Sequence, residues 1–315
     1  MKIIIVGGTG FIGKHLCRKL TQLHHHVTVL TRNPETAKKI LMEPIDLSNW
    51  DPLKFGTPEK ELEGADAVIN LAGASIAEGR WTRSRKQILY DSRINTTHRL
   101  VTALSNLPVT IRPKVLINAS GIGYYGLDTP QDVDETANSG KGFLSDLCIQ
   151  WEKEACRASD YGIRTICLRI GMVLGKDGGA LQKMLLPFKL FLGGPIGDGT
   201  QPVSWIHIED LCHLIETSIE NNVFKGQINA CSPHIVTMKE FCETLGKSLG
   251  RPSWLPIPAL ALKVGLGEMS TLMTHGQRAV PATAQKLGFV FKYPSLNSAM
   301  NNLFQKGILS TIQEN

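Results

Sequence analysis

No apolar run in this 315-residue chain reaches the ~18 residues of a membrane span, so the sequence offers no transmembrane candidate. Its first residues hold one lysine and then a strand-like run, without a small-residue cleavage site, and we expect no secretory signal. Seven cysteines are present (Cys17, Cys148, Cys156, Cys167, Cys212, Cys231, Cys242), an odd number with no C-x-x-C spacing. They read as small core residues of a protein in a reducing compartment, and the expected location is the cytoplasm. His24-His25-His26 is short and internal, and no metal site is expected from it. Basic residues are not interleaved with aromatics. The net charge of +6 is scattered, the densest group being Arg80, Arg83, Arg85, Lys86 and Arg93. That pattern favours a phosphate-bearing small ligand over nucleic acid. No internal repeat or low-complexity segment is visible.

What is present begins at the N-terminus. Met1-Lys2-Ile3-Ile4-Ile5-Val6 is an apolar strand that runs into Gly7-Gly8-Thr9-Gly10-Phe11-Ile12-Gly13. Helical periodicity follows in Phe11, Ile12, Leu16 and Leu20. A strand, a tight glycine turn and a helix N-terminus make an anion seat, because the first helical N–H groups have no internal partners. Glycines at 7, 10 and 13 allow the turn, the approach of a pyrophosphate and close helix packing.

Strand-like and helix-like segments then alternate, as in a parallel sheet covered on both faces. Strands are predicted at residues 3–6, 27–30, 67–71, 114–119 and 164–170, with a weaker one near 43–47. Helices are predicted at 11–23, 83–105 and 143–159. The second half is richer in glycine. There the pattern predicts helices at 179–190, 209–220 and 238–249, strands at 203–208, 228–230 and 289–291, and a last helix from Ser295. The expected architecture is α/β: a Rossmann-type doubly wound parallel sheet over residues 1–230, with 171–204 contributing to a cleft. A smaller C-terminal substrate lobe over 231–315 completes it.

The end of the second strand distinguishes the two nicotinamide dinucleotides. An acid there would hold the ribose 2′-hydroxyl and repel a 2′-phosphate. Thr31-Arg32-Asn33 stands there instead, and a guanidinium beside a hydroxyl suits a phosphate, so NADP(H) is expected. Asn70-Leu71-Ala72-Gly73 ends the fourth strand with residues small enough for a ribose to lie across it.

These strings, with Ser120, Tyr124-Tyr125-Gly126 and Trp205-Ile206-His207-Ile208-Glu209-Asp210, resemble the extended short-chain dehydrogenase/reductase superfamily. More closely, the chain resembles the atypical sugar-nucleotide epimerase-like (cell-division-inhibitor-like) branch. The strings that carry this are Arg80-Trp81-Thr82 with Ser92-Arg93, Arg169-Ile170-Gly171-Met172-Val173-Leu174-Gly175, Gly178-Gly179-Ala180-Leu181 and Leu192-Gly193-Gly194-Pro195-Ile196-Gly197. From about Ser253, including Gly276-Gln277-Arg278-Ala279-Val280-Pro281, the chain resembles that branch's small C-terminal domain. The resemblance implies that Gly7, Thr9, Gly10, Phe11 and Ile12 meet the pyrophosphate, and that Thr31 and Arg32 hold the adenosine phosphate. It implies a ribose at Leu71, Ala72 and Gly73, and further cofactor contacts at Ile88, Arg93 and Val173. It leaves open a homodimer formed through the helices at 83–105 and 143–159.

One part of the superfamily pattern is missing. Its catalysis rests on a tyrosine with a lysine four residues later on the same helix face. The corresponding helix reads Phe143-Leu144-Ser145-Asp146-Leu147-Cys148, with Leu147 and Cys148 where lysine belongs. The remaining catalytic candidates are Ser120, which could bond a substrate oxygen or cap its loop, and Tyr125, which could enter the cleft or pack its ring. Asp146 is a weaker third. His207 and Asp210 read as a strand end and a helix start. A hydrolase elbow does not fit, because Asn118 takes the place of the glycine before Ser120. Two functions follow. One is an NADP(H)-dependent oxidoreductase or epimerase acting on a small carbonyl, hydroxyl or nucleotide-sugar compound. The other is a binding module that senses NADP(H) without turnover.

Overall fold

The computed structural model describes residues 1–304, apart from 53 and 55. Its strands are β1 (Lys2–Val6), β2 (His26–Thr31), β3 (Asp46–Asn49), β4 (Ala67–Asn70), β5 (Val115–Gly121), β6 (Arg164–Ile170), β7 (Met172–Leu174), β8 (Pro202–Val203), β9 (Trp205–His207), β10 (Gly226–Ala230) and β11 (Val236–Thr237). Seven of them form one sheet in the order β10-β6-β5-β4-β1-β2-β3, with every neighbouring pair parallel. The chain winds outward one way through β2 and β3 and the other way from β4. The reversal therefore falls between β1 and β4, where sheets of this type take their ligands.

The helices are α1 (Phe11–Gln22), α2 (Pro34–Ile40), α3 (Glu59–Leu62), α4 (Arg83–Tyr90), α5 (Thr96–Asn106), α6 (Phe143–Cys156), α7 (Gly179–Lys189), α8 (Ile208–Glu220), α9 (Met238–Leu249), α10 (Ala259–Leu266), α11 (Thr271–Thr274), α12 (Ala282–Lys286) and α13 (Leu296–Phe304). Strand alternation decides which face each side chain meets. Ile3 and Ile5 pack with Leu16 and Leu20 of α1 and Leu211 and Ile215 of α8. Ile4 and Val6 pack with Leu100 and Leu104 of α5 on the opposite face. A third core joins Leu181 and Phe188 of α7, Phe241 and Leu245 of α9 and Met300 of α13.

Several expectations are corrected. The strand foreseen near 43–47 begins at Asp46, after Pro44, which cannot donate to a ladder. The helix foreseen at 83–105 contains a wide π turn at Asp91–Asn95 between α4 and α5. The strand foreseen at 203–208 is two short strands, β8 paired with β11 and β9 paired with β7. No strand forms at 289–291. Phe289 and Phe291 meet edge to face, with ring centroids 4.9 Å apart, and the next two amides, of Lys292 and Tyr293, donate to the Asp210 carboxylate. Ala284 and Phe289, within the expected C-terminal lobe, are buried in the core on the α1/α8 face of the sheet.

Candidate functional site

Gly7 adopts φ +83°, and a Cβ there would lie 2.8 Å from the Leu71 carbonyl. The turn after β1 thus passes against the end of β4 with no room for a side chain. A Cβ on Gly13 would meet the Gly7 oxygen at 2.4 Å, so this glycine packs α1 against its own turn. Gly10 is the N-cap of α1, no side chain caps the helix, and no acid sits in its first turn. The first amides are left for an anion from outside.

Buried Asn70 fixes the neighbouring turn. Its Nδ2 donates to Asn118 Oδ1 (2.6 Å) and Thr97 Oγ1 (2.9 Å), and its Oδ1 accepts from the Ala72 amide (3.2 Å). This network holds Leu71-Ala72-Gly73 at the carboxyl end of β4, in the middle of the sheet. At the end of β2, Thr31 is half-buried and Arg32 exposed. Asn33 Oδ1 accepts from the Thr36 amide at 3.0 Å and starts α2.

Arg93 sits on the π turn. A Cβ at Gly73 would come within 3.0 Å of its guanidinium carbon, which lies 5.1 Å from the Trp151 ring centroid. Burial lowers the Arg93 pKa to about 10. Phe11 lies in a glycine cradle formed by residues 175–179, since Cβ atoms on Gly175, Gly178 or Gly179 would meet its ring at 2.7, 2.3 and 3.0 Å. Phe11, Arg93, Val173 and Ser120 all line one cleft of about 580 Å³. Ile88 is 49% exposed and lies outside that lining.

Ser120, one residue before the end of β5, stands at the cleft wall, where its Oγ donates to Glu152 Oε1 at 2.7 Å. Glu152 accepts two more hydrogen bonds of 2.9 Å from Arg169 Nε and Nη2. Arg169 Nη1 donates to the Tyr125 hydroxyl at 3.0 Å, and its guanidinium lies 3.4 Å from the Tyr124 ring centroid. The Tyr125 hydroxyl also reaches Asn229 Oδ1 (2.8 Å) and the Asp134 carbonyl (3.0 Å). Burial pushes the Tyr125 phenol up to about 12, against the pull of Arg169. Tyr125 therefore serves the buried network and is absent from the cleft wall, the second of the two alternatives that the sequence leaves open. Asp146 is exposed. Leu144, Leu147 and Cys148 face the cleft from α6, and burial raises the Cys148 thiol to about 11.

His207 Nδ1 accepts from the Glu209 amide at 3.1 Å and caps α8. Burial lowers its pKa to about 4. Asp210 accepts from the Lys292 and Tyr293 amides. The two side chains thus have separate structural tasks. A second hollow, about 730 Å³ between α1 and α8, is lined by charged groups. Several of these are already paired, Lys19 with Glu216, His15 with Asp177 and Lys292 with Glu209. Its position away from the β1/β4 switch point leaves the first cleft as the site.

Sequence reasoning placed Ser120 and Arg93 at the cleft but missed Glu152, Arg169 and Asn70 as its supports. Arg169 and Glu152 do carry a signal, a charged residue inside an apolar strand and another inside a helix.

Among the described residues, no helix is long and apolar enough to cross a membrane. Residues 3–231 match the NAD dependent epimerase/dehydratase family and residues 257–303 match a domain of unknown function, DUF1731. Epimerase family protein YfhF of Bacillus subtilis is 42% identical over 305 residues, covering 96% of this chain and 98% of that protein. The chloroplastic SDR39U1 homolog of Arabidopsis thaliana is 40% identical, covering 97% and 87%. The human epimerase family protein SDR39U1, solved with NADPH, superposes with a TM-score of 0.87 at 33% identity, covering 97% of this chain and 99% of that one. Sheet order, glycine turn and these matches agree, and the chain belongs to the NAD dependent epimerase/dehydratase family.

Proposed function

We propose that this protein is an NADP(H)-dependent oxidoreductase of epimerase-like architecture, acting on a small carbonyl or hydroxyl compound. The observation that carries the reading is the uncapped, acid-free N-terminus of α1 at the switch point, with Arg32 exposed at the end of β2. The residues suit the cofactor. Gly7, Thr9, Gly10, Phe11 and Ile12 would hold the pyrophosphate on backbone amides. Thr31 and Arg32 would take the 2′-phosphate, Leu71, Ala72 and Gly73 the ribose, and Arg93 and Val173 the inner end. Ile88, half-exposed, falls outside this set. Bound NADPH supplies a hydride. Ser120, its hydroxyl donated to Glu152, borders the place of the substrate, Phe11 closes the cleft beside the glycine cradle, and Arg169 and Tyr125 position Glu152. The NADPH in the human relative supports the choice of cofactor.

Arg32→Glu tests the reading. Loss of one charge-assisted phosphate contact, ~2 kcal/mol, should weaken NADPH about 30-fold and leave NADH binding nearly unchanged. Equal weakening of both in a fluorescence titration would overturn the assignment. A second reading, an NADP(H) sensor without turnover, is favoured by the apolar Leu144, Leu147 and Cys148 where an acid–base pair would stand. Repeated NADPH oxidation over a panel of carbonyl compounds would exclude it.

A further inference from the structure

We infer that the cleft takes an uncharged, largely apolar conjugated carbonyl compound, an enone or a quinone, as its substrate; this rests on the reductase reading above. The first observation is the wall. Ile122, Leu144, Leu147, Val203, Met238 and Met273 line the cleft. The second is that most polar side chains of the lining are already engaged, the exceptions Ser75 and Gln182 being solvent-exposed. Lys183 Nζ donates to the Ala77 carbonyl, Gln201 Nε2 to the Met273 carbonyl at 2.8 Å, and Gln277 Nε2 to the Leu127 carbonyl at 3.0 Å. Ser204 donates to the Gln277 carbonyl at 2.8 Å, and His275 pairs with Asp128 at 2.6 Å.

Lys183 and Arg93 are the only lysine and arginine among the described residues that line the cleft, and the reading above gives Arg93 to the cofactor. A nucleotide diphosphate set against this wall would lose its water without gaining cations, which is costly. The volume of about 580 Å³ is shared with the inner end of the cofactor, so the room left suits a small molecule.

The third observation concerns chemistry. Leu144 and Cys148 stand one helical turn apart on the wall, with no acid–base pair there, and the Ser120 hydroxyl already donates to Glu152. A simple ketone or aldehyde needs an acid as its alkoxide develops. A conjugated acceptor spreads that charge itself. Its β-carbon takes a hydride, both electrons included, as the C=C π bond opens to an enolate. One proton from solvent then adds at the α-carbon (for a quinone, at oxygen), and NADP+ remains.

Four probes test this: menadione, trans-2-nonenal, nonanal and UDP-glucose. Calorimetry with the NADP+-loaded protein should show binding of menadione and none of UDP-glucose. In steady state, menadione and 2-nonenal should consume many equivalents of NADPH, at kcat/KM about tenfold or more above nonanal. Leu127→Gln, which puts an amide on the half-exposed rim of the cleft, should raise KM for 2-nonenal about tenfold while NADPH binding holds. Binding or turnover of UDP-glucose, or nonanal matching 2-nonenal, would overturn the substrate class and leave the reductase reading standing. Absence of NADPH binding, or of repeated turnover with every probe, would overturn the reductase reading and this inference together.

Discussion

Glu152 and Arg169 are 6% and 3% exposed at the side chain and share a two-point contact of 2.9 Å at each end. Burial works to lower the Arg169 pKa, but the Glu152 carboxylate beside it raises the group above its ordinary value. Such a pair contributes little against a hydrophobic replacement, yet breaking it strands a charge. Glu152→Met should therefore cost about 3–5 kcal/mol, and Glu152→Met with Arg169→Met clearly less than the sum of the two single changes. Urea unfolding of the three variants checks this. The same pair explains why Ser120 and Tyr125 diverge. Both looked available in the sequence, but the network takes the Tyr125 hydroxyl inward and leaves Ser120 at the wall.

Among the elements, α8 is capped by a histidine, and this has a consequence in acid. His207 is 1% exposed, caps the helix through Nδ1, and has its pKa lowered to about 4 by burial, with Lys292 and His15 acting the same way and Glu209 opposing. The unfolded chain binds a proton here from about pH 6.5 downward, while the folded chain resists until about 4. Stability should therefore fall as pH drops through this window, by up to about 3 kcal/mol from this group. His207→Asn keeps a capping oxygen and should flatten the fall, read as Tm against pH between 7 and 4. An unchanged slope would assign the acid sensitivity to other groups. Elements also mark what the sequence could and could not reveal. Apolar runs such as Ile3-Ile4-Ile5-Val6 announce buried strands, because both faces of a parallel sheet are covered. The π turn at Asp91–Asn95 has no such periodic mark, although it aims Arg93 at Gly73. Phe289 and Phe291 alternate like a strand, but no neighbour offers them a ladder and the Asp210 carboxylate takes the next two amides instead.

The whole molecule closes on itself across its apparent boundary. The match to the small C-terminal domain runs over 257–303, which invites the view of a detachable lobe. Contacts oppose that view from three directions. Ala284 and Phe289 lie in the same core as Ile215, Phe224 and Ile228. Asp210 on α8 holds the amides of Lys292 and Tyr293. Met300 and Leu303 of α13 pack with Phe241 and Leu245 of α9. Lys86 bonds Glu268, and Lys183 bonds the Ala77 carbonyl, so the cleft is bridged as well. Removing everything after residue 252 would expose buried apolar side chains on the sheet face and on α9 and leave the Asp210 carboxylate without its amides. At ~25 cal/mol per Å² of apolar surface, losing several such side chains approaches the whole stability of an ordinary domain. The fragment 1–252 should therefore lack a cooperative unfolding transition and bind a hydrophobic dye, while the full chain unfolds in a single step by circular dichroism and tryptophan fluorescence. A cooperative fragment that still binds NADPH would mean that the dinucleotide half folds alone and that the lobe serves the substrate only.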